Sequence, residues 1–273
     1  QPSARMPVAG RYHTALLCSD GRVVAFGANT RGQCEIPEVE PGVRYTHVAV
    51  AGDSTVLFRN DGRVVICGEE LGMTNPKTGE EMSGAFKLPE LEGGATYVQV
   101  SLGREHMVLL CSDGRAVAYG RSTFMQCAIP FVEANVGYAQ VSAGSFHTVL
   151  LCSDGRIAAC GNNRCGQCSL PRRQKGVRYS QVAAGSQHTV LLRTDGRAVA
   201  VGRNEDGECD IPELEPGVHY TQVAAGLSHT VLLRSDGRAV ACGWNDDGQC
   251  NIPELTEGAV YSQVSAGGGG RIA

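Results

Sequence analysis

The sequence predicts an all-β chain, a β-propeller of six blades, and three observations carry the prediction. The dipeptide Asp-Gly begins at Asp20, Asp61, Asp113, Asp154, Asp195 and Asp236, at spacings of 41, 52, 41, 41 and 41 residues. A period of this size marks one supersecondary unit copied along the chain. Each dipeptide lies between two short apolar runs, as in residues 229–243, the pattern of a tight hairpin. No stretch spaces its apolar residues at the helical period, which disfavours a helix-bearing solenoid.

A unit of 41 residues lies close to the ~40-residue limit for unaided folding, so the copies must lean on one another. Residues 1–10 read as a worn copy of the strand before each hairpin, with Val8-Ala9-Gly10 matching Ala224-Ala225-Gly226. The first hairpin spans 13–27, with Asp-Gly expected to supply the two positive-φ positions of a type I′ turn. A loop at 28–33, a short edge Cys34-Glu35-Ile36-Pro37 that proline terminates, an acidic link at 38–42 and a strand at 45–50 follow. About four short strands per repeat make a propeller blade.

The second copy, from Thr55 to Gly68, carries an insertion at 69–87, and copies three to six follow at Met107, Thr148, Thr189 and Thr230. The last segment, 261–267, repeats the strand that precedes a hairpin, with no hairpin after it. It is expected to pair beside residues 13–17, so that N- and C-terminal strands close the ring and hide an edge open to aggregation. The reading is one propeller domain over 1–273, with seven blades as the alternative to six.

The formal charge is −4 with Lys and Arg scattered over turns, so there is no basic patch or tail for nucleic acid. No apolar run approaches the ~18 residues of a membrane span, so no membrane insertion is expected. Beginning at Gln1, the chain reads as a processed form or part of a longer protein, with no targeting segment visible.

Histidines recur at one repeat position, His13, His106, His147, His188 and His229, with Ser54 in the second copy. Spacing by whole repeats puts each in a different blade, whereas a metal needs ligands converging within ~2 Å. They are read as structural, each ring satisfying backbone groups at the start of a strand. The 12 cysteines follow the repeat too, and other copies carry Phe, Arg, Tyr or Val at those positions, so most are read as small packing residues. Abundant unpaired cysteine favours a reducing compartment, cytoplasm or nucleus. Cys165-Gly166-Gln167-Cys168 is the exception, a C-x-x-C with no second pair at metal spacing. The recurrent G-x-x-x-x-G is followed by Gln or Glu instead of Lys-Ser or Lys-Thr, so these are turn glycines, not a phosphate loop. Neither a catalytic residue nor a metal site or cofactor is expected.

Gly185-Ser186-Gln187-His188-Thr189, Thr194-Asp195-Gly196-Arg197 and Gly243-Trp244-Asn245-Asp246-Asp247-Gly248-Gln249 together resemble the repeat of the regulator of chromosome condensation family. The likeness covers all six units. It implies a propeller, seven-bladed in the best-known member, which is a guanine nucleotide exchange factor for a small GTPase. Other relatives are substrate-recruiting propellers of HECT-type ubiquitin ligases, a plant ultraviolet-B photoreceptor and a secreted bacterial β-lactamase inhibitor. A photoreceptor would need clustered tryptophans, and here Trp244 stands alone; no HECT-like region and no basic tail are present.

The repeat supplies its own alignment. Positions kept in every copy build the scaffold, and positions that vary are free to specialise. Two sets vary most: the pair before each histidine, with Arg11, Tyr12, Arg104, Glu105, Phe146 and Gln187, and the loop after each hairpin, with Arg121, Phe124, Trp244 and Asp246. Both fall in turns, so both are expected on one rim, where aromatics beside arginines have the character of binding hot spots. The expectation is a non-catalytic scaffold offering a loop-built face to a protein partner. The alternatives are an exchange factor for a small GTPase, with the 69–87 insertion as the family's protruding wedge, or the substrate-recruiting propeller of a larger ligase.

Overall fold

The structure, a computed structural model, describes residues 8–9, 13–51, 53–68, 85–88, 91–133, 135–172, 174–256 and 258–267. Arg11, Tyr12 and nearly all of the insertion lie outside them. The described residues form nineteen strands in six antiparallel sheets, the blades of a β-propeller. The first blade holds β1 (Val8–Ala9), β2 (His13–Leu17) and β3 (Val23–Gly27). The second holds β4 (Tyr45–Ala51), β5 (Ser54–Arg59), β6 (Arg63–Gly68) and β7 (Ala85–Lys87), and the third β8 (Tyr97–Leu102), β9 (His106–Cys111) and β10 (Ala116–Gly120). The fourth has β11 (Tyr138–Ala143), β12 (His147–Cys152) and β13 (Ile157–Gly161), and the fifth β14 (Tyr179–Ala184), β15 (His188–Arg193) and β16 (Ala198–Gly202). The sixth has β17 (Tyr220–Ala225), β18 (His229–Arg234) and β19 (Ala239–Gly243).

Three expectations are corrected. Among the described residues the Cys-x-Ile-Pro edge forms no strand, and the second blade alone has a fourth, β7, which pairs Phe86 with Val64. The hairpin turns are not type I′. Only their glycines have positive φ, near +80°, as at Gly21 (+85°) and Gly237 (+79°). Gly21 N–H donates to Cys18 C=O and Cys18 N–H to Arg22 C=O, the three-residue loop with a left-handed glycine at its end. Asp20 Oδ1 accepts the Arg22 N–H, a bond that suits an Asp of ordinary negative φ and recurs at Asp61, Asp113, Asp154, Asp195 and Asp236.

The third correction concerns the termini. The place beside β2 is filled by β1, paired Val8 to Ala15 and Ala9 to Thr14, the register in which Ala224 meets Val231 and Ala225 meets Thr230. Val8-Ala9 stands as many residues ahead of its hairpin as Ala224-Ala225 does. Segment 261–266 forms no ladder; it lies against the sixth blade, where Tyr261 N–H donates to Gly237 C=O and Val264 packs on Val231 and Leu233.

The core is a series of layers, each between two successive blades. Val48, Val50 and Leu57 meet Ala15; Met107, Leu109 and Tyr119 meet Val56, Phe58 and Val64; Leu150 and Val141 meet Val108; Leu191 and Val182 meet Val149; Leu232 and Val223 meet Val190. In the first blade Val24 and Phe26 are half exposed, on the side whose counterpart in the third blade, Tyr119, is buried.

Polar ties run through these layers with a stride of 42 residues. His13 Nε2 meets Thr55 Oγ1 at 2.8 Å, His106 meets Thr148 at 2.9 Å, and His147–Thr189 and His188–Thr230 each close at 3.0 Å. Each threonine hydroxyl donates in turn to a loop carbonyl, of Gln33, Gln126, Gln167 or Glu208. A hydroxyl already donating can only accept from the ring, so the imidazole carries its proton on Nε2. These four histidines thus tie to the next blade's hydroxyl and not to the local backbone groups that the sequence suggests. A second set joins the innermost strands: Gln99, Gln140 and Gln181 donate to the carbonyls of Val141, Val182 and Val223 and accept from the same residues' N–H groups.

Candidate functional site

The strand ends nearest the histidines gather the variable positions. At the close of each hairpin a glycine at φ of about +115°, such as Gly120 or Gly243, brings the chain so close to the preceding turn that a Cβ would strike the carbonyl of the residue before the histidine. The next N–H then donates to that carbonyl: Arg121 to Glu105, Asn162 to Phe146, Arg203 to Gln187 and Trp244 to Ser228, at 2.8–2.9 Å. These four bonds hold the two variable sets side by side at one end of copies three to six.

Each loop is itself braced. The side-chain carbonyl of Gln33, Gln126, Gln167 or Gln249 accepts an N–H two residues back, and Asn29, Asn163, Asn204 or Asn245 accepts the N–H of the following cysteine. The cysteine Sγ donates to the loop's first carbonyl, as Cys168 does to Asn162 at 3.3 Å. Burial pushes Cys168 up to about 11 and Cys160 up to about 12, so these thiols stay protonated and unreactive at neutral pH. Cys165 is exposed, with Sγ 3.6 Å from Gln187 Oε1. Among the described residues no three His, Cys, Asp or Glu side chains converge as metal ligands.

In copies three to five the loop reaches the next copy's turn. Between copies three and four, the Phe124 and Phe146 rings stand edge to face, centroids 5.5 Å apart at 66°. The Arg104 guanidinium covers the Phe146 ring and the Arg164 guanidinium covers Phe124, each at 5.7 Å. Arg121, on the same loop as Phe124, lies 3.9 Å from the Glu105 carboxylate. Four residues marked from the sequence, Arg104, Phe124, Phe146 and Arg121, are thus brought together, with Glu105 beside them. Gln187 lies one copy on, against Cys165, and Trp244 and Asp246 stand two copies away, Asp246 exposed and Trp244 half-buried. Arg11 and Tyr12 fall outside the described residues.

Between copies five and six the chemistry changes sign. Glu208 replaces the glutamine of other copies and is 1% exposed, its carboxylate meeting Arg203 at 3.2 Å. Arg203 also binds Glu205 and Asp206, each at 2.7 Å, and reaches Ser228 Oγ at 3.3 Å. Burial works against the Arg203 charge, and the bonds to Asp206 and Glu205 more than offset it. Arg164 and Arg203 were not singled out from the sequence. Their signal was present, since each occupies a variable loop position, but only the contacts across the copy boundary set them apart.

Four stretches of the chain, 8–33, 138–167, 179–208 and 220–249, match the family described as Regulator of chromosome condensation (RCC1) repeat. Over 129 residues the chain is 31% identical to the Regulator of chromosome condensation of Mus musculus, covering 41% of this chain and 30% of that protein. Over 138 residues it is 24% identical to the X-linked retinitis pigmentosa GTPase regulator homolog of Caenorhabditis elegans, covering 44% of this chain and 10% of that protein. The chain thus spans less than a third of the length of these curated relatives. Among solved structures, Prp20p of Saccharomyces cerevisiae, described with its binding properties to Gsp1p and histones, superposes with a TM-score of 0.73 at 18% identity over 96% of this chain and 80% of that one. Human WBSCR16 superposes with a TM-score of 0.74 at 17% identity over 98% and 86%. At such identities the likeness is one of fold. No helix among the described residues is long and apolar enough to cross a membrane.

Proposed function

For a propeller built of regulator of chromosome condensation repeats, as this chain is, we propose a non-catalytic role: one loop-built face recognises a protein partner. The observation that supports the reading is the set of bonds in copies three to six from the post-hairpin loop to the turn before the histidine, which hold these variable loops and turns side by side. The scaffold groups are spent on blade-to-blade ties, while Arg104, Phe124, Phe146 and Trp244 are left at the rim with the aromatic and arginine chemistry of hot spots. Affinity capture tests it. The full chain should retain a discrete partner that the triple variant F124A/F146A/W244A, still folded by circular dichroism, does not; identical recovery by both would remove the face from consideration.

A second reading, nucleotide exchange on a small GTPase, is favoured by relatives whose names connect them with GTPase regulation and with Gsp1p. Exchange works by binding and distorting the GTPase, so it asks for no acid or base on the propeller. Accelerated nucleotide release from any member of a panel of small GTPases supports this reading, and no effect across the panel leaves the scaffold alone.

A further inference from the structure

The guanidinium–ring–ring–guanidinium stack across copies three and four has a polarity that narrows the partner. We propose that this part of the face binds an acidic polypeptide segment, whose carboxylates are taken by Arg104 and Arg164. The proposal rests on the protein-binding role of the face and adds the chemistry of the partner.

Of the arginines on this face from copies three to five, Arg203 is engaged by three carboxylates and Arg121 lies beside Glu105. Arg104 and Arg164 have no carboxylate partner among the described residues; what holds them is the Phe146 and Phe124 rings. A guanidinium lying over an aromatic face keeps its N–H edges free for a carboxylate fork. A free arginine side chain gives up rotamer entropy when it binds, and one already held on a ring loses less of it. The two rings contact each other, so the two cations are set at a fixed separation across a blade boundary.

The neighbouring arc supplies the contrast. Copies five and six present Glu205, Asp206, Asp246 and Asp247, with Arg203 as the cation among them. Like charges facing each other across an interface cost affinity, so an acidic segment is confined to copies three and four and turned away from five and six. The formal charge of the whole chain is −4, so bulk attraction does not bring an anion here; the local stack does.

The test is fluorescence anisotropy with the full chain and a labelled peptide of six Glu alternating with Gly, beside the same peptide with Gln for Glu. The acidic peptide should bind, the Gln peptide at least tenfold more weakly, and raising salt from 20 to 200 mM should loosen the acidic complex severalfold. R104A/R164A should lose at least tenfold in affinity. The control R197A/R238A removes two exposed arginines from turns at the opposite end of the hairpins and should leave binding unchanged. No binding of the acidic peptide, equal binding of the Gln peptide, or equal loss in both double variants overturns the proposal. If a captured partner depends on Phe124 and Phe146 yet ignores salt and R104A/R164A, the face reading stands and this assignment alone falls.

Discussion

Lowering the pH from 7.5 to 5.0 should unfold this protein through its buried histidines. His106, His147 and His188 are fully buried, and each has its Nδ1 out of contact with any protein hydrogen-bond partner among the described residues. Burial pushes His106 and His188 down to about 4 and His147 down to about 3, the neighbouring rings adding to the shift of His147. Unfolded, each ring titrates near its ordinary value of about 6.5. The unfolded chain therefore binds protons that the folded one refuses. Stability is complete above pH 6.5 and is lost as pH falls toward the folded values.

Linkage makes the loss about 2 kcal/mol per ring at pH 5.0. Three rings then remove on the order of 6 kcal/mol, comparable with the whole stability of many domains. His13 and His229, also lowered by burial, act in the same direction. Asp113, in a hairpin turn, is held below its ordinary value by the Arg115 N–H and guanidinium, so its protonation lies on the acid side of this window. Urea unfolding followed by the fluorescence of Trp244, the single tryptophan, reads the effect as a midpoint that falls steeply between pH 7 and 5. His147→Gln keeps a side-chain N–H for Thr189 but does not titrate, and it should remove about a third of the pH dependence. A midpoint that does not move between pH 7.5 and 5.0, or a slope untouched by His147→Gln, refutes the reasoning.

Two further outcomes follow from the same geometry. Thr189→Val leaves His147 Nε2–H and the Gln167 carbonyl unpaired inside the protein and should cost about 1–3 kcal/mol in urea titration, with Thr189→Ser close to the parent. Gly185→Ala puts a methyl group against the His188 ring and the Gly226 carbonyl and should cost about 2–3 kcal/mol, whereas Gly176→Ala, at φ +84° with nothing within 4 Å, should cost only the left-handed backbone strain of about 1 kcal/mol.

The repeat made the blades legible, because strand pattern and turn residues recur at fixed intervals and any one copy checks the others. His229 opposite Gly243, with Leu232 opposite Val240, is the hairpin the apolar pattern implies. The turn type was not legible, because Asp-Gly serves both a two-residue and a three-residue loop and the choice lies in the aspartate carboxylate reaching Arg22 N–H. The fourth strand failed for a related reason: Cys-x-Ile-Pro looks like an edge, but its backbone is committed to loop bonds such as Ile36 N–H to Cys34 C=O. The His–Thr ties were visible as adjacent letters in four copies without revealing that donor and acceptor belong to different blades. At the face, variation between copies marked loops that the structure sets beside one another, yet which arginines sit on rings depends on contacts across a boundary that no single copy contains.

The junction between the second and third copies departs from all this. Ser54 stands in the histidine position and Met107 in the threonine position, and His47 occupies the place of the inner glutamine. That seam is filled by Met107, Phe58, Leu109 and Tyr119, larger groups meeting by shape. It is also where the repeat spacing stretches from 41 residues to 52. Here Met107, Phe58, Leu109 and Tyr119 join the blades by apolar contact, which depends on shape more than on the alignment of any one donor with its acceptor, so length added at this junction leaves the buried seam intact.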